Sequence, residues 1–257
     1  NLAWAARRAL ASWERSRGDP AAPLGEARAI EREERAASAA MADLGQLLVP
    51  ERARVLTHCN TGSLAAGGEG TAFGVVLAAH RAGRLEHLWV GETRPLLQGA
   101  RLTAYEAARC GVPFSVLPDG AAGALLASGQ VDLVLVGADR IAADGSVANK
   151  IGTYVLAVLA RHHGVPFVVV APVSTIDPAT PDGRAIVVEQ RAAEEVTGFA
   201  GRPTAPPGSA VYNPAFDVTP PELVSALVTE RGMARPVDEV TVARLYGSAL
   251  EGATMKP

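Results

Sequence analysis

VDLVLVGADR, residues 131–140, decides how this chain is read. Apolar residues fill residues 131–136 almost without polar alternation, as a strand covered on both faces requires. The run is too short for a buried helix and ends on Gly137. Residues 54–57, 88–90, 114–117 and 167–171 share this texture. Helical patterns fall between the runs, at 71–82, 103–110, 121–128 and 152–162. This β-α-β rhythm predicts an α/β fold with a doubly wound, mostly parallel, Rossmann-like sheet and helices on both faces.

Upstream, apolar residues recur three and four apart over 2–13 and 24–48, which predicts two amphipathic helices broken apart by Asp19-Pro20 and Pro23. The charged run at 31–35 reads as a solvated helix face. Downstream, a stretch rich in Pro, Gly and Asp leads to helices expected at 220–229 and 237–250. The expected organisation is a helical segment, 1–48, before a catalytic Rossmann-like body, 49–257.

Composition narrows the function. With 24 Lys and Arg against 27 Asp and Glu, the net charge of -3 argues against a broad electrostatic grip on nucleic acid or an anionic membrane. No apolar run approaches the roughly 20 residues that span a bilayer. Residues 1–8 lack the features of a secretory signal, so the cytoplasm is the expected location. Cys59 and Cys110 are the only cysteines, without zinc-ligand spacing, and are expected to be free thiols.

In an open parallel sheet, ligands bind beyond the carboxyl ends of the strands. The strand exits here carry His58-Cys59-Asn60-Thr61-Gly62, Gly91-Glu92-Thr93-Arg94, Gly137-Ala138-Asp139-Arg140 and Pro172-Val173-Ser174-Thr175. Cys59 is the candidate nucleophile or acid/base group; a packed small side chain is the plainer reading. Asp139 emerges from an apolar strand, where desolvation raises a carboxyl pKa toward general-acid use; a pair with Arg140 or a turn cap is the alternative. Asn149-Lys150 closes a loop over Ala142-Ala143-Asp144-Gly145 and opens the next helix, and the only other lysine is Lys256, so an anion is a reasonable partner for Lys150; a merely exposed lysine is the alternative. The Gly67-Gly68-Glu69-Gly70-Thr71 turn could cradle phosphate, but its spacing matches neither dinucleotide nor triphosphate loops.

Taken together, THCNTG (57–62), GETRP (91–95) with Gln98-Gly99 and RLT (101–103), GADRI (137–141), NKIGT (149–153) and NPAFD (213–217) closely resemble the methylthioribose-1-phosphate isomerases of methionine salvage. That family shares a superfamily with ribose-1,5-bisphosphate isomerases and the noncatalytic regulatory subunits of the initiation-factor 2 exchange factor, which stand as alternatives. The cysteine motif favours the isomerase. The resemblance implies a catalytic pair, Cys59 and Asp139, with Gln98, Asn149 and Lys150 contacting a small sugar phosphate. It further implies a homodimer and a reaction needing neither cofactor nor metal. Family members also carry a small domain upstream, with an Arg-Gly-Ala phosphate loop, which this sequence is expected to lack.

Overall fold

The computed structural model describes residues 2–253, with side chains for residues 4–247. Two helices come first, α1 (Leu2–Arg15) and α2 (Ala21–Gly45). Pro23 lies inside the first turn of α2 rather than ahead of it. Its missing N–H costs nothing there, because first-turn amides lack intrahelical partners. Ala37 and Met41 of α2 are buried in one core cluster with Phe73 and Val75.

The main sheet contains β1 (Ala53–Thr57), β2 (Leu85–Gly91), β3 (Phe114–Leu117) and β4 (Leu133–Val136). A small sheet begins just after β4 with β5 (Arg140–Ala142) and β6 (Val147–Lys150). The chain then forms β7 (Phe167–Val170), the short β8 (Ile176–Asp177), and a two-stranded hairpin, β9 (Gly198–Phe199) and β10 (Arg202–Pro203). Last come β11 (Phe216–Thr219), β12 (Ala226–Thr229) and β13 (Gly232–Ala234). The seven-stranded sheet runs β13-β12-β7-β4-β1-β2-β3 and the four-stranded one β11-β6-β5-β8. In the large sheet every pairing is parallel except β12 with β13.

Alternation along the central strands divides the core between two faces. Val134, Val136, Phe167 and Val169 point to one side, where α5 (Ala122–Ala127), α6 (Thr153–His162) and α8 (Glu239–Ala253) supply Leu126, Leu156 and Leu245. Leu133, Leu135, Val168 and Val170 point to the other, against Phe73, Val75 and Leu77 of α3 (Ala72–Arg81). Two further short helices are α4 (Ala104–Arg109), which continues a wider turn over Gly99–Thr103, and α7 (Glu194–Thr197).

Two expectations fail. Residues 220–229 form a short 3-10 turn and then β12, fully buried beside β7, instead of a helix. The prolines suit a helix start, but a slot on the growing sheet outweighs that local preference for Ala-Leu-Val-Thr. The loop expected before Asn149 is instead the turn of the β5–β6 hairpin, so Asn149 and Lys150 end a strand, and α6 begins beyond Gly152 at φ 102°. Among the described residues, no helix is long and apolar enough to cross a membrane.

Candidate active site

β1 and β4 are neighbours at the centre of the large sheet. The helix after β1, α3, packs on one face, whereas α6, following β4 and the hairpin, packs on the other. The connections therefore diverge between these two strands, which opens a crevice at their carboxyl ends. Cys59 leaves β1 and Asp139 leaves β4. Both line a single cleft of about 790 Å³, as does Asn149.

Cys59 is held in the left-handed region, φ 64°, a conformation that a non-glycine residue adopts only when its surroundings enforce it. Two threonines do so. The Cys59 N–H donates to Thr93 Oγ1 at 2.8 Å, and Thr103 Oγ1 donates to the Cys59 carbonyl at 2.6 Å. Burial pushes the thiol up to about 11; the Asn60 N–H pulls the other way, the Asp139 charge adds to the rise, and Lys150 opposes it. At neutral pH the group is a thiol.

The turn holding Cys59 is tied down by Glu106, buried on α4. Its carboxylate accepts Asn60 Nδ2 at 2.9 Å, and the Ser63 N–H and Ser63 hydroxyl, both at 2.7 Å. His58, 2% exposed, is 2.8 Å from the Ile151 carbonyl through Nε2 and so links the β1 exit to the segment after Lys150. Burial pushes its pKa down, which keeps the imidazole neutral.

Asp139 reaches solvent through the mouth of the cleft, but protein atoms crowd it on its other sides. This desolvation pushes its carboxyl above the usual range, against the pull of Lys150. The pairing with Arg140 does not occur, because Arg140 bonds Asp177 at 3.1 Å. Asn149 is 4% exposed and donates through Nδ2 to Thr153 Oγ1 at 3.0 Å.

Lys150 is close enough to His58, Cys59 and Asp139 to act on all three electrostatically, with its ammonium 4.9 Å from the centroid of Phe216. The anion expected at the start of α6 is a side chain, Asp217, which accepts the Gly152 and Tyr154 N–H groups. Neither Lys150 nor Gln98 is among the residues lining the cleft. Gln98 sits in the turn before α4, with its Oε1 buried and unpartnered among the described residues. Next to it, Gly99 passes so near the Gly91 carbonyl that a Cβ there would overlap it, at 1.8 Å. The Gly67–Thr71 turn has little left for a phosphate: Glu69, Gly70 and Thr71 already donate to Ser38 Oγ, Gly67 O and Thr61 O.

The charged run at 31–35 is not simply a solvated face. Glu31 pairs with Arg35 along the surface of α2, but Glu33 reaches Arg8 of α1, and Glu34 turns inward to line the cleft. A second cavity, about 580 Å³, adjoins the cleft and shares Glu34, Asp139, Pro172 and Thr175 with it. The supporting roles of Thr93, Thr103 and Glu106 had no signal in local pattern, since each acts through a partner distant in sequence.

A Rossmann-like sheet with a thiol and a carboxyl at its topological switch defines a class. The family model described as the Initiation factor 2 subunit family matches residues 1–236. Several curated relatives are far closer. A methylthioribose-1-phosphate isomerase from Pelotomaculum thermopropionicum is 55% identical over 92% of this chain and 66% of its own length. One from Anaeromyxobacter dehalogenans is 56% identical over 95% of this chain and 71% of its own. Among solved structures, 5-methylthioribose 1-phosphate isomerase from Pyrococcus horikoshii superposes with a TM-score of 0.91 at 43% identity, covering 96% of this chain and 70% of that one. A structure titled translation initiation factor eIF-2B, subunit delta, from A. fulgidus reaches 0.86 at 40% identity, covering 94% and 71%. The chain thus belongs to the methylthioribose-1-phosphate isomerase branch of this family and spans about two thirds of such relatives.

Proposed function

We propose that this cleft interconverts 5-methylthioribose 1-phosphate and 5-methylthioribulose 1-phosphate, an aldose–ketose isomerisation. The observation that carries the reading is the convergence of Cys59 and Asp139, from adjacent strands, on one cleft. Phosphate on the anomeric oxygen prevents ring opening by the ordinary hemiacetal route. Asp139, its carboxyl raised by burial, donates a proton to the ring oxygen as the C1–O bond breaks. Lys150 and Asn149 hold the phosphate end, with Gln98 a further substrate contact.

Two routes then move hydrogen from C2 to C1. In one, a base removes the C2 proton and returns it to C1. In the other, C2 passes a hydride to C1 while the C2 hydroxyl loses its proton and becomes the ketone. A thiol near 11 is a poor resting base. Ionising it at pH 7 takes roughly 5 kcal/mol. The thiol state therefore favours the hydride route, with Cys59 as an uncharged wall of the site. Deuterium placed at C2 separates the routes: retention at C1 supports hydride transfer, and full exchange with solvent excludes it.

The cleft also favours a methylthio group over a second phosphate at the sugar's C5 end. Leu64, Ala65 and Ala66 form part of its wall. The deciding experiment is an assay with methylthioribose 1-phosphate, watching for the ketose. Binding without turnover would favour the regulatory-subunit alternative. In this reading residues 1–48 join the catalytic body to a small upstream domain, and the protein works as a cytoplasmic homodimer, the latter measurable by light scattering.

A further inference from the structure

Glu34 is the cleft residue for which the reaction has assigned no task. It lies on α2, lines both adjoining cavities, and accepts no hydrogen bond among the described residues. Its stem lies against the Gly67 turn, so closely that a Cβ on Gly67 would fall 2.5 Å from Glu34 Cβ. Burial, and then the nearby Glu230 charge, push its carboxyl upward. A partly desolvated carboxylate lacking a donor is an open acceptor for a hydroxyl.

Charge is distributed unevenly around Asp139. Lys150 acts on His58, Cys59 and Asp139, whereas Glu34 feels Glu230. Three arginines line the adjoining cavity, and only Arg140 is paired with a carboxylate, Asp177. Arg231, which donates to the neutral Tyr246 carbonyl at 3.2 Å, and Arg7 keep their charges, so they offset part but not all of the charge of Glu34, Asp139 and Glu230.

Given the proposed isomerase reading, on which this step rests, a sugar phosphate in the cleft shares its lining with Glu34 as well as with Asn149 and Asp139. We propose that Glu34 is a specificity-determining residue: its carboxylate accepts ribose hydroxyls and turns away a second phosphate.

Titration calorimetry on the protein and its Glu34→Gln variant, with methylthioribose 1-phosphate and ribose 1,5-bisphosphate as separate probes, tests this. The amide keeps the shape of the carboxylate and loses its charge. The variant is expected to shift the ratio of the two dissociation constants at least roughly tenfold toward the bisphosphate, the scale of one charge-assisted contact. Glu34→Asp, which retains the charge, should keep the original preference. A ratio within about twofold of the starting protein in Glu34→Gln, or the same drift in both variants, overturns the assignment. Turnover by the unsubstituted protein reports separately on the isomerase reading: ligand binding without turnover defeats that reading and leaves the ratio test intact. Failure to bind either sugar defeats both.

Discussion

The carboxylate of Asp217 accepts the N–H of Gly152 at 2.8 Å through Oδ2, while Oδ1 takes the Tyr154 N–H at 3.0 Å. Asp217 pairs in register with Asn149 across β11 and β6, so one side chain fastens the start of α6 to the small sheet that carries Lys150. Replacing Asp217 with Ala is expected to lower stability by about 1 kcal/mol, as for a lost helix cap. It should also raise KM, because Lys150 loses its firm seat. Denaturant unfolding with steady-state kinetics checks both effects; an unchanged KM alongside the stability loss would confine Asp217 to a structural role.

Asp139→Asn should reduce turnover by roughly 10²–10⁴ and at the same time stabilise the fold at neutral pH. Burial raises the folded-state pKa of Asp139 above its unfolded value, so the folded protein holds that proton more tightly. Ionisation then costs stability as pH rises through the folded value, and the amide escapes that cost. The advantage should vanish in acid below the unfolded pKa. Melting curves across pH provide the measurement, and an Asn variant less stable at pH 7 than at pH 3 relative to the parent contradicts the sign.

Cys59 should resist alkylation at neutral pH, whereas the exposed thiol of Cys110 reacts first. With the Cys59 pKa pushed up to about 11, its rate with iodoacetamide should climb about tenfold per pH unit through the alkaline range. Peptide mass spectrometry over time distinguishes the sites. Equal labelling at pH 7 would show that the thiol is not held neutral.

Glu106→Gln is expected to destabilise the protein by roughly 1–3 kcal/mol, because one of the two carboxylate oxygens, Oε2 that takes both Ser63 donors or Oε1 that takes Asn60 Nδ2, becomes an amide nitrogen that cannot accept. Its larger effect should be on rate, since the turn that keeps Cys59 at positive φ is released. A fall in kcat exceeding the change in thermal stability is the expected signature. Full activity in a folded variant would show that Cys59 holds its position without this brace.

The sequence made the parallel frame legible because β1, β4 and β7 are covered on both faces, and continuous runs such as Leu133-Val134-Leu135-Val136 have few other uses. It also placed Cys59 and Asp139 together, since strand exits in such a sheet converge. It could not show that Asp217 rather than a ligand caps α6, because sixty-five positions separate the Asp217 carboxylate from Gly152. The strand at Ala226–Thr229 was hidden for a related reason: its identity depends on a vacant edge beside β7. Glu34 sat within a run whose charge pattern describes a helix surface and says nothing of which side chain turns toward a cavity.

The thiol and the carboxyl spring from the large sheet, while the ammonium rides on the smaller hairpin that follows it. Chemistry and grip are therefore mounted on separable parts. A descendant that lost its sulfur would still keep the ammonium on the hairpin, and one that reshaped the hairpin would leave the central sheet of valines and leucines undisturbed. A scaffold divided in this way can give rise to receptors as readily as to catalysts.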